Sequence, residues 1–112
     1  MPNNISDLDR VFYALSDPTR RAVLARLAEG SASVSELAEP FDMALPSFTQ
    51  HLSVLEDCRL VKSEKQGRVR TVELTPEPLS VAETWIDEQR TVWADRLDRL
   101  DTYLKEITEG KS

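Results

Sequence analysis

Residues 45–55 read Leu45-Pro46-Ser47-Phe48-Thr49-Gln50-His51-Leu52-Ser53-Val54-Leu55. Proline suits the first turn of a helix, and Phe48, Leu52 and Leu55 follow at the i, i+4 and i+7 spacing of a single helical face. The opposite face is polar and carries Ser47, Gln50, His51 and Ser53. This stretch predicts an amphipathic helix that buries three large apolar side chains and turns a polar surface outward.

The period of the pattern changes directly after this helix. Apolar and polar residues alternate from Val61, Gln66-Gly67 predicts a turn, and the alternation resumes through Leu74. The segment therefore predicts a β-hairpin. Its cations are Lys65, just before the turn, and Arg68 and Arg70, whose spacing of two predicts that both project from one face of a strand.

Three short helices are predicted before residue 45. The first covers about residues 7–16 and ends at Ser16-Asp17-Pro18, because proline cannot continue the hydrogen-bond ladder. The second begins there, with aspartate as the N-cap and proline in the first turn, and runs to Gly30. Ser33-Val34-Ser35-Glu36 has the pattern of a capping box, which predicts a short third helix that Pro40 closes.

The last segment predicts a long helix over about residues 77–108, since no glycine or proline stands between Leu79 and Glu109. Its apolar residues recur every seven positions, at Leu79, Ile86, Trp93, Leu100 and Ile107. Such a helix is too long for a small core, so part of the stripe is expected to pack on a second copy of the chain, with the first helix beside it. The alternative is a helix that folds back over its own domain. The predicted dimer interface consists of Leu8, Phe12, Trp85, Ile86, Trp93, Leu97, Leu100 and Leu104.

The chain has 112 residues and a net charge of −6. This length predicts one domain over residues 1–112. The acidic total opposes binding to nucleic acid, because neutralisation of phosphates supplies most sequence-independent affinity. Residues 43–72, however, hold five basic side chains against three acidic ones. An acidic body with one basic segment suits a protein that presents one face to DNA.

Other classes of protein are not expected from the sequence. No apolar run is long enough to cross a bilayer and the N-terminus lacks the pattern of a signal peptide, so a cytoplasmic location is expected. The chain has one histidine, no glycine-rich phosphate loop and no nucleophile elbow. We therefore expect neither an enzyme nor a bound cofactor.

Three motifs, taken with the order of the elements, closely resemble the ArsR/SmtB family of bacterial winged-helix repressors. They are Ala14-Leu15-Ser16-Asp17-Pro18-Thr19-Arg20-Arg21, Gln50-His51-Leu52-Ser53-Val54-Leu55 and Gly67-Arg68-Val69-Arg70. The resemblance covers roughly residues 7–107. It implies a mainly α winged helix-turn-helix with a β-hairpin wing, in the order α-α-α-α-β-β-α. It also implies a homodimer that binds double-stranded operator DNA near its own promoter and blocks transcription.

The resemblance makes the fourth helix the recognition helix, laid in the major groove, and the hairpin the wing. Gln50 has the paired donor and acceptor that match adenine, and His51 could donate to guanine or phosphate. Arg20 could reach phosphate, or pair with Asp17 or a neighbouring acid. Ser47 and Thr49 could contact DNA or only make hydrogen bonds at the helix end. The predicted DNA-binding residues are Ser47, Thr49, Gln50, His51, Lys65, Arg68, Arg70 and Arg20.

The chain departs from the metal-sensing members of this family. Those carry paired cysteines in the third helix, or histidines and carboxylates in the last helix. Here Ser35-Glu36-Leu37-Ala38-Glu39 has no thiol and the last helix has no histidine. Soft-metal sites need several such ligands, so metal sensing is not expected. Ala44 also stands where many relatives have a serine, so the cap of the recognition helix is either lost or supplied by Asp42.

Three alternatives for function and signal stay open. Cys58, beside Arg59, is either a redox-sensing thiol or a small buried hydrophobe. An unknown small-molecule inducer could bind at the dimer interface, where Trp85, Trp93 and Tyr103 offer an aromatic lining. The winged helix could instead serve only as a protein-binding module.

Overall fold

The computed structural model describes residues 6–110. These residues divide into two compact units, the first ending at Ala82 and the second beginning at Glu83. The elements in chain order are α1 (Asp7–Leu15), α2 (Pro18–Leu27), β1 (Ala32–Ser33), α3 (Val34–Ala38), α4 (Leu45–Asp57), β2 (Val61–Gln66), β3 (Val69–Leu74) and α5 (Glu77–Glu109). The predicted fold class, mainly helical with a hairpin after the fourth helix, is confirmed.

The starts of α2 and α3 follow the caps that the sequence predicted. The carboxylate of Asp17 accepts a hydrogen bond from the backbone nitrogen of Arg20 at 3.1 Å, which caps α2. Ser33 Oγ accepts from the Glu36 nitrogen, and Glu36 Oε1 accepts from the Ser33 nitrogen, so the capping box of α3 is complete. The N-cap of α4 is Ala44, which makes no side-chain bond. The cap is therefore lost there.

The sheet has three antiparallel strands in the order β1-β3-β2. The sequence did not predict β1, which is only two residues long. Gln66 pairs with Val69, so the turn consists of Gly67 and Arg68 rather than the predicted Gln66-Gly67. Gly67 has a φ of 64°, which glycine adopts without steric cost. Because Arg68 lies in the turn, the prediction that Arg68 and Arg70 project from one face of a strand is wrong.

The core of the first unit fixes the orientation of α4. Phe48, Leu52 and Leu55 are all buried, as the spacing predicted. They pack with apolar side chains from the other helices and from the sheet, among them Val11, Val23, Leu37, Leu60 and Val72. The ring of Phe48 also lies 5.4 Å from that of Phe41, in the segment before α4. With its apolar face held inward, α4 turns its polar face to solvent.

The long final helix is also confirmed, since α5 has 33 residues. Among residues 83–110 no side chain is buried, so the second unit has no core of its own. Its exposed large apolar side chains include Trp93, Leu97, Leu100, Tyr103, Leu104 and Ile107. Neither α5 nor any other helix in the described part of the chain is apolar enough over a sufficient length to cross a membrane.

Candidate nucleic-acid interface

The predicted DNA-reading residues lie on the outward face of α4 and differ in exposure and in hydrogen bonding. Ser47 and Gln50 are exposed, while Thr49 and His51 are half-buried. Thr49 Oγ1 donates to the carbonyl oxygen of Pro46 at 3.1 Å. This bond fits the interpretation of Thr49 as a helix-end residue, whereas the exposed amide of Gln50 makes no hydrogen bond within residues 6–110.

A cleft of about 520 Å³ lies where the start of α3, the face of α4 and the hairpin meet. Its lining consists of Ser33, Val34, Ser35, Thr49, Lys65, Arg68, Val69 and Arg70. Three of these side chains are cations and none is a carboxylate. The fold therefore brings the predicted hairpin cations together with Thr49 of α4 around one positively charged concave surface, in a chain whose net charge is −6.

The three cations of this cleft are held differently. Arg70 Nη1 donates to Ser63 Oγ at 2.8 Å, and Ser63 Oγ donates to Glu56 Oε1 at 2.6 Å. This chain of bonds ties the hairpin to the last turn of α4. Lys65 and Arg68 are exposed. Arg68 also occupies the turn itself, where its side chain can reach beyond the end of the two strands.

Arg20 lies inside the protein, with 7% of its surface exposed. Its Nε donates to the carbonyl oxygen of Ala14 at 2.8 Å and its Nη2 to that of Tyr13 at 3.0 Å. The guanidinium carbon also lies 5.2 Å from the centre of the Tyr13 ring. The guanidinium therefore donates to two carbonyls in the last turn of α1, and the carbonyl of Tyr13 also accepts from the nitrogen and the hydroxyl of Ser16. The structure does not support the predicted phosphate contact of Arg20, because its guanidinium is buried and its donors are occupied.

His51 meets this buried cation. Its Nδ1 lies 3.4 Å from Arg20 Nη1 and 3.6 Å from Asp17 Oδ2, with a quarter of the side chain exposed. Burial raises the pKa of Asp17, but the backbone hydrogen bond from Arg20 and the charge of His51 outweigh it and hold that pKa below its ordinary value of 3.8. The sequence offered Asp17 as a partner of Arg20. The contact of Arg20 with His51 of α4 spans 31 residues, so no local pattern indicated it.

Cys58 is buried at the C-cap of α4. Burial raises the pKa of its thiol, and the nearby charge of Arg20 opposes this only in part. A redox-sensing thiol needs exposure and a lowered pKa. The structure has the opposite features, which favour the interpretation of Cys58 as a small buried hydrophobe. Within residues 6–110, no group of three or more His, Cys, Asp or Glu side chains is placed to hold a metal ion.

The residues predicted for the dimer interface differ in exposure. Leu8 of α1 is half-buried and packs against the core, whereas Phe12 is 38% exposed. On α5 the predicted residues are all exposed, from 37% to 65%: Trp85, Ile86, Trp93, Leu97, Leu100 and Leu104. Except for Leu8, these side chains leave large apolar areas at the surface of the single chain.

The fold defines a winged helix-turn-helix, with the hairpin that follows α4 as the wing. A family model described as a helix-turn-helix domain matches residues 15–64. The chain is 42% identical over 79 residues to the HTH-type transcriptional regulator Rv2034 of Mycobacterium tuberculosis, covering 70% of this chain and 74% of that one. It is 30% identical over 79 residues to the transcriptional repressor SdpR of Bacillus subtilis, covering 70% and 88%.

The solved structures agree. The crystal structure of an ArsR family transcriptional regulator superimposes with a TM-score of 0.75 at 54% sequence identity, covering 80% of this chain and 98% of that one. This chain belongs to the ArsR family of DNA-binding transcriptional regulators, as the sequence motifs indicated.

Proposed function

We propose that this protein is a cytoplasmic repressor that binds its operator as a homodimer, through α4 and the wing (residues 61–74), and responds to a signal other than a metal ion. The observation that carries the proposal is the cleft lined by Lys65, Arg68 and Arg70 beside the exposed face of α4. Because the chain as a whole is acidic, its attraction to DNA has to come from this local cluster.

The roles of the side chains follow from their exposure. Gln50, exposed on α4, is suited to a bidentate contact with the major-groove edge of adenine. Lys65, Arg68 and Arg70 are suited to the phosphates that flank that groove, or to the minor groove beside it. Phosphate contacts fix the position of the protein, while Gln50 and His51 supply the discrimination between sequences.

The test of DNA binding is a selection of fragments from the source genome, including the region upstream of the protein's own gene. The selected fragment should bind more tightly than a scrambled one, and Gln50→Ala should reduce that discrimination by about 1–3 kcal/mol. Gln89→Ala, on α5, is the matched control and should leave the discrimination unchanged. Absence of any sequence-preferring binding would favour the protein-binding module instead.

The homodimer is proposed on the exposed stripe of α5. Trp93, Leu97 and Leu100 are 55%, 65% and 51% exposed on a stretch of helix that has no core of its own. Contiguous apolar surface of this kind marks an interface, and Phe12 of α1 is proposed to join it. A two-fold dimer would also present two recognition helices to successive major grooves, which is how helix-turn-helix proteins read paired half-sites.

Analytical ultracentrifugation tests this interface. The wild type should sediment as a dimer at micromolar concentration, and Leu97→Glu with Leu100→Glu should sediment as a monomer with weakened operator binding. Thr102→Glu, an exposed polar position on the same helix, should remain dimeric. A monomeric wild type would exclude the dimer.

The proposal of a signal other than a metal ion rests on how few metal-ligating side chains the chain has. It has one histidine and one cysteine, Cys58 is buried, and the Nδ1 of His51 faces Arg20. Soft metals need several convergent ligands of these types. A small apolar inducer at the dimer interface, near Trp85, Trp93 and Tyr103, is the proposed alternative. Addition of Zn²⁺ or arsenite should leave operator affinity unchanged, and release of DNA by either ion would contradict the proposal.

A further inference from the structure

We infer that Arg20 is a positioning residue that fixes His51 as the tautomer protonated on Nε2, so that the recognition helix offers a hydrogen-bond donor to DNA at this position. The DNA partner in this inference rests on the proposed function. The tautomer does not, because it is a property of the free protein.

The donors of Arg20 are assigned by its contacts. Nε and Nη2 donate to the carbonyl oxygens of Ala14 and Tyr13, and Nη2 also lies 3.3 Å from the hydroxyl of Ser16. Nη1 remains, and it lies 3.4 Å from His51 Nδ1. A guanidinium keeps its charge and can only donate. Nδ1 must therefore accept, and a neutral imidazole that accepts at Nδ1 carries its proton on Nε2.

Asp17 is the competing partner, since a carboxylate facing Nδ1 would favour a proton there. Its Oδ2 lies 3.6 Å from Nδ1, which is longer than a hydrogen bond, and the same oxygen already accepts from the backbone nitrogen of Arg20 at 3.1 Å. A protonated imidazole carries a proton on each nitrogen. Nε2 is thus a donor in both protonation states.

This assignment limits what His51 can bind. Within residues 6–110, Nε2 makes no hydrogen bond or ion pair, and a quarter of the side chain is exposed. A donor fits an acceptor of DNA, namely N7 or O6 of guanine, N7 of adenine, O4 of thymine or a phosphate oxygen, and it does not fit the amino groups of adenine or cytosine. Because Arg20 also donates to the carbonyl oxygens of Ala14 and Tyr13, its contact with Nδ1 links the ring of His51 to the end of α1.

Nuclear magnetic resonance of the free protein tests the tautomer directly, because His51 is the single histidine of the chain. A long-range ¹H–¹⁵N correlation spectrum, recorded at rising pH until the imidazole pattern stops changing, should give the pattern of the Nε2–H tautomer. The Arg20→Gln variant should give a mixture of the two tautomers. Asp17→Asn, the matched control, should keep the Nε2–H tautomer. If Arg20→Gln does not fold, the wild-type and Asp17→Asn spectra still decide. An Nδ1–H tautomer or a mixture in the wild type would overturn the inference.

Operator binding tests the donor. A glutamine amide can place its nitrogen near the position of Nε2, whereas the shorter asparagine amide reaches only that of Nδ1. His51→Asn should therefore weaken binding about fivefold to tenfold, the equivalent of one lost hydrogen bond, and His51→Gln should lose less. Equal losses, or the reverse order, would overturn the donor role. Replacing operator guanines by 7-deazaguanine distinguishes a guanine N7 contact from a phosphate contact.

The two proposals can fail separately. If the wild type binds no operator, the proposed function fails and the DNA partner of His51 fails with it, while the spectrum still reports whether Arg20 sets the tautomer.

Discussion

The guanidinium of Arg70 donates a hydrogen bond to the hydroxyl of Ser63 across the hairpin, at 2.8 Å. Since Ser63 itself donates to Glu56 at the end of α4, a cation of the wing is tied to the recognition helix through one hydroxyl group. The orientation of the wing relative to α4 therefore depends on the side chain of Ser63, which need not contact DNA itself.

Removal of this hydroxyl should weaken DNA binding more than it weakens the fold. Ser63→Ala frees Arg70 to adopt other rotamers, and ordering it again on DNA should cost about threefold in operator affinity, roughly 0.5–1 kcal/mol. Fluorescence anisotropy with the operator measures this, with thermal unfolding as the check on the fold. Ser80→Ala, at an exposed serine outside the wing, is the control. Affinity equal to that of the wild type would mean that Ser63 does not position the wing.

Asp17 should contribute to stability in a pH-dependent way. Asp17→Ala removes the cap of α2 and should lower the free energy of unfolding by about 1 kcal/mol, whereas Asp17→Asn keeps a capping oxygen and should lose less. Because folding holds the pKa of Asp17 below 3.8, the benefit of its charge is present above that pH and is lost as pH falls through the folded value. Urea unfolding at a series of pH values should show the gap between wild type and Asp17→Asn at about pH 5 and its closure in stronger acid. A gap that widens in acid would reverse the assigned sign.

Cys58 should react slowly in the folded protein. Burial excludes reagents, and the raised pKa of the thiol leaves less thiolate at neutral pH than its ordinary value of 9.0 would. A disulfide reagent should modify it at least about tenfold more slowly in buffer than in urea. Ser80→Cys in a Cys58→Ala background gives the rate of an exposed thiol. Fast native modification together with loss of DNA binding would revive the redox alternative.

The elements that local chemistry specifies could be predicted from the sequence. Asp17-Pro18 and the capping box at Ser33 supply their own hydrogen bonds, so the starts of α2 and α3 follow from a few adjacent residues. The apolar face of α4 could be predicted equally well, because eleven residues cover three turns of a helix and show its periodicity. These signals also led to the correct family.

Features that depend on distant contacts could not be predicted in the same way. Arg20 and Arg21 are adjacent and alike in the sequence, and only the packing of α1 against α2 buries the first and exposes the second. Strand β1 exists because β3 offers it a partner, and two residues are too few to show alternation. The position of the turn at Gly67 and Arg68 likewise depends on the pairing of Gln66 with Val69.

The central claim, that a local cluster of wing cations attracts this acidic protein to DNA, is tested most directly by the salt dependence of operator binding. The slope of log affinity against log salt should be steep for the wild type. It should flatten in Arg68→Ala with Arg70→Ala by about one unit per lost phosphate contact, up to about four for a dimer. Lys62→Ala, a cation of β2 paired with Glu73, should keep the wild-type slope. An unchanged slope in the double variant would contradict the account.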